Sequence, residues 1–304
     1  MNTPDKLSDR IKTAKLLDKF YTKRDTSKQC YDNLIEILLD HDINLKNVIF
    51  IEPSAGDGSF LEVINESRKG FDIKPPTINP YKIIQNDFLK TDIIQFLSKN
   101  DLKKQTIIIG NPPFGKKSKL AINFLNKSLE YSKIVGFIVP IQFRKWSVQS
   151  KIKCDAKLLM DITLDENIFE IVGKTYKVRC CFQVWARNDF SNIIPDLRII
   201  EKPKTSHKDF LLYQYNRTEI AKKYFDYDWD FAVPRQGYLD YELKIYTKKD
   251  IVEKNQWIFF KAKNKTILNK LKKIDFVKLS KKNIGIPGFG KADVVEEYTQ
   301  IQKS

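Results

Sequence analysis

No run of apolar residues in this sequence reaches the roughly 18–20 that a membrane-crossing helix needs, so no membrane partner is expected. The opening stretch MNTPDKLSDRIKTAKLL is charged throughout and lacks the apolar core of a secretory signal. Cysteine is scarce, and Cys30, Cys154, Cys180 and Cys181 contain no CxxC pair. Adjacent residues in a strand face opposite ways, so Cys180 and Cys181 are not expected to meet each other. The expectation is four reduced thiols, with no disulfide and no metal, in a cytoplasmic protein. Gly56 and Gly58 have no third glycine to complete the dinucleotide pattern, and no P-loop lysine follows them. No internal repeat is visible. Acidic residues are also short: 38 Asp and Glu against 54 Lys and Arg leave a formal charge of +16.

Such an excess points first to nucleic acid. The competing explanation is compositional, because the chain is also rich in Ile, Asn and Tyr, as in AT-rich genomes. Residues 190–304 carry 23 basic and 15 acidic residues, against 31 and 23 in the longer stretch 1–189, so the charge is denser toward the end. At 304 residues and 42% apolar content, the chain can form one large domain or two modest ones.

Periodicity sets out an order of elements. Cys30 to Asp40 has helical spacing. Val48 to Ile51 reads as a strand, Glu52 to Ser59 as a turn, and Phe60 to Ile64 opens a helix. Phe71-Asp72-Ile73 is a short strand before Lys74-Pro75-Pro76, and Ile83-Ile84 leads into Gln85. Thr106 to Gly110 is an apolar run bounded by turn formers, hence a buried strand. Proline cannot continue a central strand, so it ends at Asn111-Pro112-Pro113-Phe114. Leu120, Ala121, Phe124, Leu125 and Leu129 then share a helix face. Ile134 to Val139 is a strand closed by Pro140, and Leu158 to Leu164 and Val178 to Trp185 form an antiparallel pair at one edge. This alternation predicts an α/β fold with a mostly parallel sheet and helices on both faces. After about residue 190 aromatics and basic residues interleave, from Tyr213 to Arg217 and from Tyr224 to Tyr238. A lysine-rich stretch, Lys261 to Lys282, and a loop, Gly285 to Gly290, follow.

Two strand ends carry the chemistry. The Glu52–Ser59 turn brings backbone close to a ligand through Gly56 and Gly58. The Asn111–Phe114 loop offers an amide, fixed carbonyls and an aromatic ring at the strand edge where open α/β sheets bind ligands. That set can grip a planar group bearing an NH2.

The ordered motifs FYT (Phe20-Tyr21-Thr22), EPSAGDGSFL (Glu52 to Leu61), FDIKP (Phe71 to Pro75), NDFL (Asn86 to Leu89) and NPPF (Asn111 to Phe114) resemble the S-adenosylmethionine-dependent amino-methyltransferases of DNA. They look most like the gamma-ordered adenine-N6 enzymes of restriction–modification systems. The resemblance covers roughly residues 19–187, and Tyr176 to Trp185 looks like the late strand motif of that family. It implies a Rossmann-like methyltransferase fold: a mostly parallel seven-stranded sheet with an antiparallel edge strand, and a small C-terminal α+β region. It further implies a catalytic domain over 1–189 and a target-recognition region over 190–304.

By the same resemblance, S-adenosylmethionine is the cofactor. Tyr21 and Thr22 would close over its methionine end, and Glu52, Ser54, Gly56 and Gly58 would shape its pocket. Asp72 would take the ribose hydroxyls and Ile73 would pack on the cofactor adenine. Asp87 would take the adenine amino group, with Phe88 against the ring. Asn111 and Pro112 would accept the two hydrogens of the target amino group, freeing a lone pair otherwise delocalised into the base. Pro113 would stiffen the loop, and Phe114 would stack on a base flipped out of the duplex. Double-stranded DNA and a cognate restriction endonuclease are the implied partners, in a bacterial cytoplasm or in a cell hosting a virus or mobile element.

Other readings stand beside these. Asp87 also suits a helix N-cap, Phe88 a core position, Asp72 a solvated turn, and Tyr21-Thr22 a surface turn. The tetrapeptide alone does not separate DNA adenine from RNA adenine, protein glutamine or cytosine N4. A nucleic-acid-binding protein that has lost catalysis is a further alternative.

Overall fold

The computed structural model describes residues 21–171, 174–190, 195–237, 239–282 and 286–303. Phe20, Tyr238, Gly285 and the charged N-terminal stretch lie outside the described residues. The chain divides into two compact units, one up to Ile200 and one from Glu201.

The first unit contains β1 (Tyr21–Thr22), α1 (Arg24–Asp40), β2 (Val48–Glu52), α2 (Ser59–Val63), β3 (Ser67–Asp72), β4 (Ile84–Gln85) and β5 (Gln105–Gly110). It continues with α3 (Lys119–Tyr131), β6 (Ile134–Pro140), α4 (Trp146–Gln149), β7 (Ala156–Thr163), β8 (Phe169–Ile171), β9 (Lys174–Tyr176) and β10 (Cys180–Arg187). Seven strands form one sheet in the order β4-β3-β2-β5-β6-β10-β7. The pairs from β4 to β6 are parallel. β10 runs antiparallel to both β6 and β7. This is the expected Rossmann-like α/β fold, with the reversed strand one place in from the edge strand β7.

The buried strands have the continuous apolar character of a sheet covered on both faces. Every residue of β2 and β6 is buried. Alternation then sorts side chains between two cores. Val48, Phe50, Ile107 and Ile109 pack with Cys30, Leu34 and Leu38 of α1. Ile51, Ile108, Val135 and Phe137 pack with Phe124, Leu125 and Leu129 of α3. Cys180 and Cys181 fall into opposite cores, as strand geometry requires, and all four cysteines are free thiols.

The structure adjusts three expected elements. β3 starts at Ser67, four residues before the expected strand, and stops short of Ile73, which is 65% exposed. Its polar first half escaped a hydrophobicity reading because backbone pairing to β2, not apolar content, makes it a strand. α2 is a single turn ending at Val63. Leu120 lies outside the buried face of α3, where Ala121, Ile122, Phe124, Leu125 and Leu129 are buried.

The order of strands decides where a ligand can sit. The chain leaves β2 toward β3 and β4, then crosses back to β5 on the other side. The carboxyl ends of β2 and β5 therefore flank the topological switch point, the crevice where such sheets bind ligands. A small antiparallel sheet, β1-β8-β9, brings residues from far apart in sequence to this edge: Tyr21 pairs with Glu170 and Thr22 with Phe169.

Residues 195–200 belong to the first unit, eleven residues beyond the boundary expected at 189. Asp196 Oδ1 accepts from the Leu158 N–H at 3.0 Å, and the Arg198 guanidinium donates to the carbonyls of Gln149, Ile152, Lys153 and Ala156.

The second unit is α+β. β11 (Phe210–Tyr215), β12 (Phe231–Gln236) and β13 (Gln256–Ala262) form an antiparallel sheet in the order β11-β13-β12. α5 (Lys265–Lys272), α6 (Phe276–Ser280) and α7 (Lys291–Lys303) cover one face, through Leu271, Phe276, Leu279, Val294 and Tyr298. A short 3-10 segment, Glu219–Asp226, covers the other with Ala221 and Phe225. Much of the aromatic content after residue 190 is thus core: Phe231 stacks on Phe260 at 4.4 Å, and Trp257 is buried. Tyr227 and Tyr246 stay exposed, with Lys272 over the Tyr246 ring at 4.8 Å.

Candidate active site

At the end of β2, Glu52 is 2% exposed and its Oε2 has no hydrogen-bond partner among the described residues. Burial, reinforced by the charges of Asp57 and Asp72 and opposed by the Leu61 N–H, pushes its carboxyl well above the usual range. Two residues on, Ser54 Oγ donates to the Asn111 carbonyl at 3.2 Å, joining the loop after β2 to the loop after β5. Gly110 makes this close approach possible: a Cβ there would lie 3.2 Å from Glu52 Cγ.

The glycine turn follows. Gly56 (φ 55°) and Gly58 (φ 90°) hold left-handed backbone that other residues adopt at a cost. A Cβ on Gly58 would clash with Tyr81 Cδ2, whereas one on Gly56 would only touch Tyr21, at 3.5 Å. Asp72, at the end of β3, ties the turn down. Its Oδ2 accepts from the Gly56 N–H at 2.9 Å and its Oδ1 from the Lys74 N–H at 2.7 Å. The Asp72 carbonyl accepts from the Asn86 N–H at 2.9 Å, bringing the Asn86–Leu89 segment to the same place. The Asn86 side-chain oxygen is buried and has no hydrogen-bond partner among the described residues.

Tyr21 lies over this turn, and burial beside Asp57 and Asp72 raises its phenol above the ordinary value, so it stays a hydrogen-bond donor. Thr22 is buried next to it. Ile73 presents an exposed apolar surface at the end of β3. Asp87 acts locally as a cap: Oδ1 accepts from the Leu89 N–H at 3.1 Å and Oδ2 lies 3.2 Å from Lys90 Nζ. Phe88 corrects an expectation. It is 1% exposed, stacked on Phe124 at 5.4 Å with Lys127 above it, so its ring is spent in the core and has no face left for a cofactor.

At the end of β5, Pro112 is buried, while Asn111, Pro113 and Phe114 are half-buried. Phe114 packs against both cores and meets Phe169 edge-on at 6.2 Å. The Phe114 carbonyl accepts from the Ala121 N–H in the first turn of α3. The tetrapeptide is thus anchored on both sides, by Ser54 and by α3.

Contacts therefore link Tyr21, Gly56 and Asp72, and Ser54 and Asn111, and place Glu52 against Gly110. Asp57, Asp72 and the buried carboxyl of Glu52 surround the glycine turn, and Glu52 Oε2 and Asn86 Oδ1 have no donor among the described residues. Such a cleft suits a ligand that is rich in hydrogen-bond donors or positively charged, and it opposes phosphate. Sequence reasoning missed Tyr81 and Asn86. Tyr81 arrives from a proline-rich insert with no periodicity, and Asn86 is marked by a buried oxygen with no partner among the described residues, which only the packing reveals.

No protein-family model and no curated protein matches this chain. Among solved structures, a chain of a type I restriction–modification system is similar, at 13% identity over 55% of this chain and 42% of that one, with a TM-score of 0.38. A 23S rRNA methyltransferase, ErmE, is similar at 12% identity over 56% and 70%, with a TM-score of 0.37. A tRNA methyltransferase of M. jannaschii is similar at 20% identity over 50% and 48%, with a TM-score of 0.33. The match to the restriction–modification chain thus spans less than half of that chain's length.

Proposed function

We propose that this protein is a methyltransferase that uses S-adenosylmethionine to methylate the N6 amino group of adenine in double-stranded DNA. The observation that carries this reading is the Ser54–Asn111 hydrogen bond, which joins an amide-bearing Asn-Pro-Pro-Phe loop to a carboxylate-lined glycine turn at the switch point.

The residues of the turn fit the cofactor. Its ribose hydroxyls and amino groups are donors, and Asp72, Asp87, Glu52 and Asn86 are acceptors; Glu52 and Asn86 each carry a buried oxygen with no partner among the described residues. Tyr21, Thr22, Ser54, Gly56 and Gly58 shape the pocket, and Ile73 offers the apolar surface. When bound, S-adenosylmethionine supplies an electron-poor methyl group on a sulfonium. Asn111 and the Pro112 carbonyl accept the two amino hydrogens of the target base, drawing its lone pair out of ring conjugation. The methylated amino cation is strongly acidic, so no strong base is required. Pro113 fixes the loop, and Phe114 stacks on the base once it is flipped out, at a cost of a few kcal/mol. Catalysis is then positioning and electrostatic preorganisation.

On this reading residues up to 200 form the catalytic unit and residues 201–303 contact the DNA target. The enzyme works in the cytoplasm of a bacterium, or of a cell hosting a virus or mobile element, alongside a cognate restriction endonuclease. The test is Asn111→Ala, which should keep cofactor affinity and lose methyl transfer by at least about 100-fold, the scale of removing one preorganised polar contact. Loss of cofactor binding with unchanged transfer per bound cofactor would contradict it.

A further inference from the structure

The residues that follow the tetrapeptide reverse the charge of the site. Asp57 and Asp72 lie on the glycine-turn side of Asn111; Lys116, Lys117 and Lys119 follow Phe114, and all three are exposed. Among the described residues, none of these three lysines is paired with a carboxylate. The backbone beneath them is fixed in an uncommon way. Gly115 (φ 67°), Lys117 (φ 55°) and Ser118 (φ 59°) are left-handed. A Cβ on Gly115 would lie 2.8 Å from Leu120 Cγ. Ser118 is completely buried, its N–H donates to the Gly115 carbonyl at 3.1 Å, and its hydroxyl accepts from the Gln142 side chain. Left-handed positions favour Gly, Asn and Asp over lysine. Packing therefore accounts for Gly115 and Ser118, but neither the backbone nor the core asks for lysine at 117. Residues kept in disfavoured backbone cluster at functional sites.

We propose that Lys116 and Lys117 bind phosphates of the DNA strand that carries the target base, holding that strand against Asn111. They are positioning residues: the loop is anchored through Ser118, and the two exposed lysines directly follow Phe114 and Gly115. The proposal rests on the DNA reading above. A cation on the cofactor and a polyanion on the substrate strand then meet opposite charges on the two sides of Asn111.

The experiment measures duplex DNA affinity between 50 and 200 mM salt for the full chain and for Lys116→Gln/Lys117→Gln. Each phosphate contact contributes about 0.9 to the slope of log affinity against log salt. The double variant should lose about 2 from that slope and bind DNA more weakly irrespective of sequence, with cofactor affinity unchanged. Lys116→Arg/Lys117→Arg should restore the slope. Lys103→Gln, at the opposite end of β5, should leave it as it is. An unchanged slope in the double variant, in a protein that still binds and methylates DNA, overturns this proposal alone. Absence of DNA binding by the unaltered protein overturns the DNA reading, and this proposal with it.

Discussion

Ser54 and Asn111 are 57 residues apart, yet a 3.2 Å hydrogen bond from the Ser54 hydroxyl to the Asn111 carbonyl joins the glycine turn and the Asn-Pro-Pro-Phe loop into one unit. A single such bond is worth about 0.5–1.5 kcal/mol. Ser54→Ala should therefore lower kcat/KM by roughly 2–10-fold while the melting temperature changes little. Steady-state kinetics at varied cofactor checks this, and unchanged kinetics would show that the bond does not position the loop.

Gly56 and Gly58 should not be equivalent. Alanine at either meets a left-handed backbone, costing about 1–2 kcal/mol. Only at Gly58 does the new methyl also collide with the Tyr81 ring. Gly58→Ala should thus abolish cofactor binding where Gly56→Ala weakens it, and Gly58→Ala/Tyr81→Ala should recover part of the loss. Titration calorimetry with the cofactor would decide, and equal losses at the two glycines would contradict the geometry.

Glu52 predicts a pH dependence with a definite sign. Its carboxyl is raised in the folded protein, so the folded state holds a proton that the unfolded chain has released. Stability from this group is present below the ordinary carboxylate range and is lost as pH rises toward the folded value. Glu52→Gln should have little effect on melting near pH 4. It should become increasingly stabilising from pH 5 to 8, and it should weaken cofactor binding. Parallel melting curves across that range would reveal a constant difference if the idea is wrong.

Phe88 separates core from site. Phe88→Leu should lower stability by about 1–3 kcal/mol, because the ring stacks on Phe124 inside the core. Cofactor affinity in the folded fraction should stay within twofold. A large loss of affinity without loss of stability would return Phe88 to the pocket.

What sequence could and could not reveal follows from the kinds of contact involved. The strands β2, β5 and β6 were legible because burial on both faces demands unbroken apolar runs. The two strand ends were legible because glycine and proline leave a mark wherever backbone geometry is unusual. The first half of β3 was not, since Ser67 to Gly70 become a strand through hydrogen bonds to β2. Phe88 looked like a ligand contact by motif, but its packing on Phe124 is a tertiary fact that a motif does not encode. The aromatics after residue 200 divide between core and surface for the same reason: Phe231 and Trp257 are buried, Tyr227 and Tyr246 are not. Residues 195–200 joined the first unit through Asp196 and Arg198, two polar side chains with no periodic signature.

The most direct test of the central claim incubates the purified protein with S-adenosylmethionine carrying a labelled methyl group, and with duplex DNA, RNA and protein in separate reactions. Nucleosides from each product are then resolved by mass spectrometry. The account predicts label in DNA as N6-methyladenine, absent with Asn111→Ala. Label in RNA or protein but not DNA, or on a base other than adenine, would contradict it.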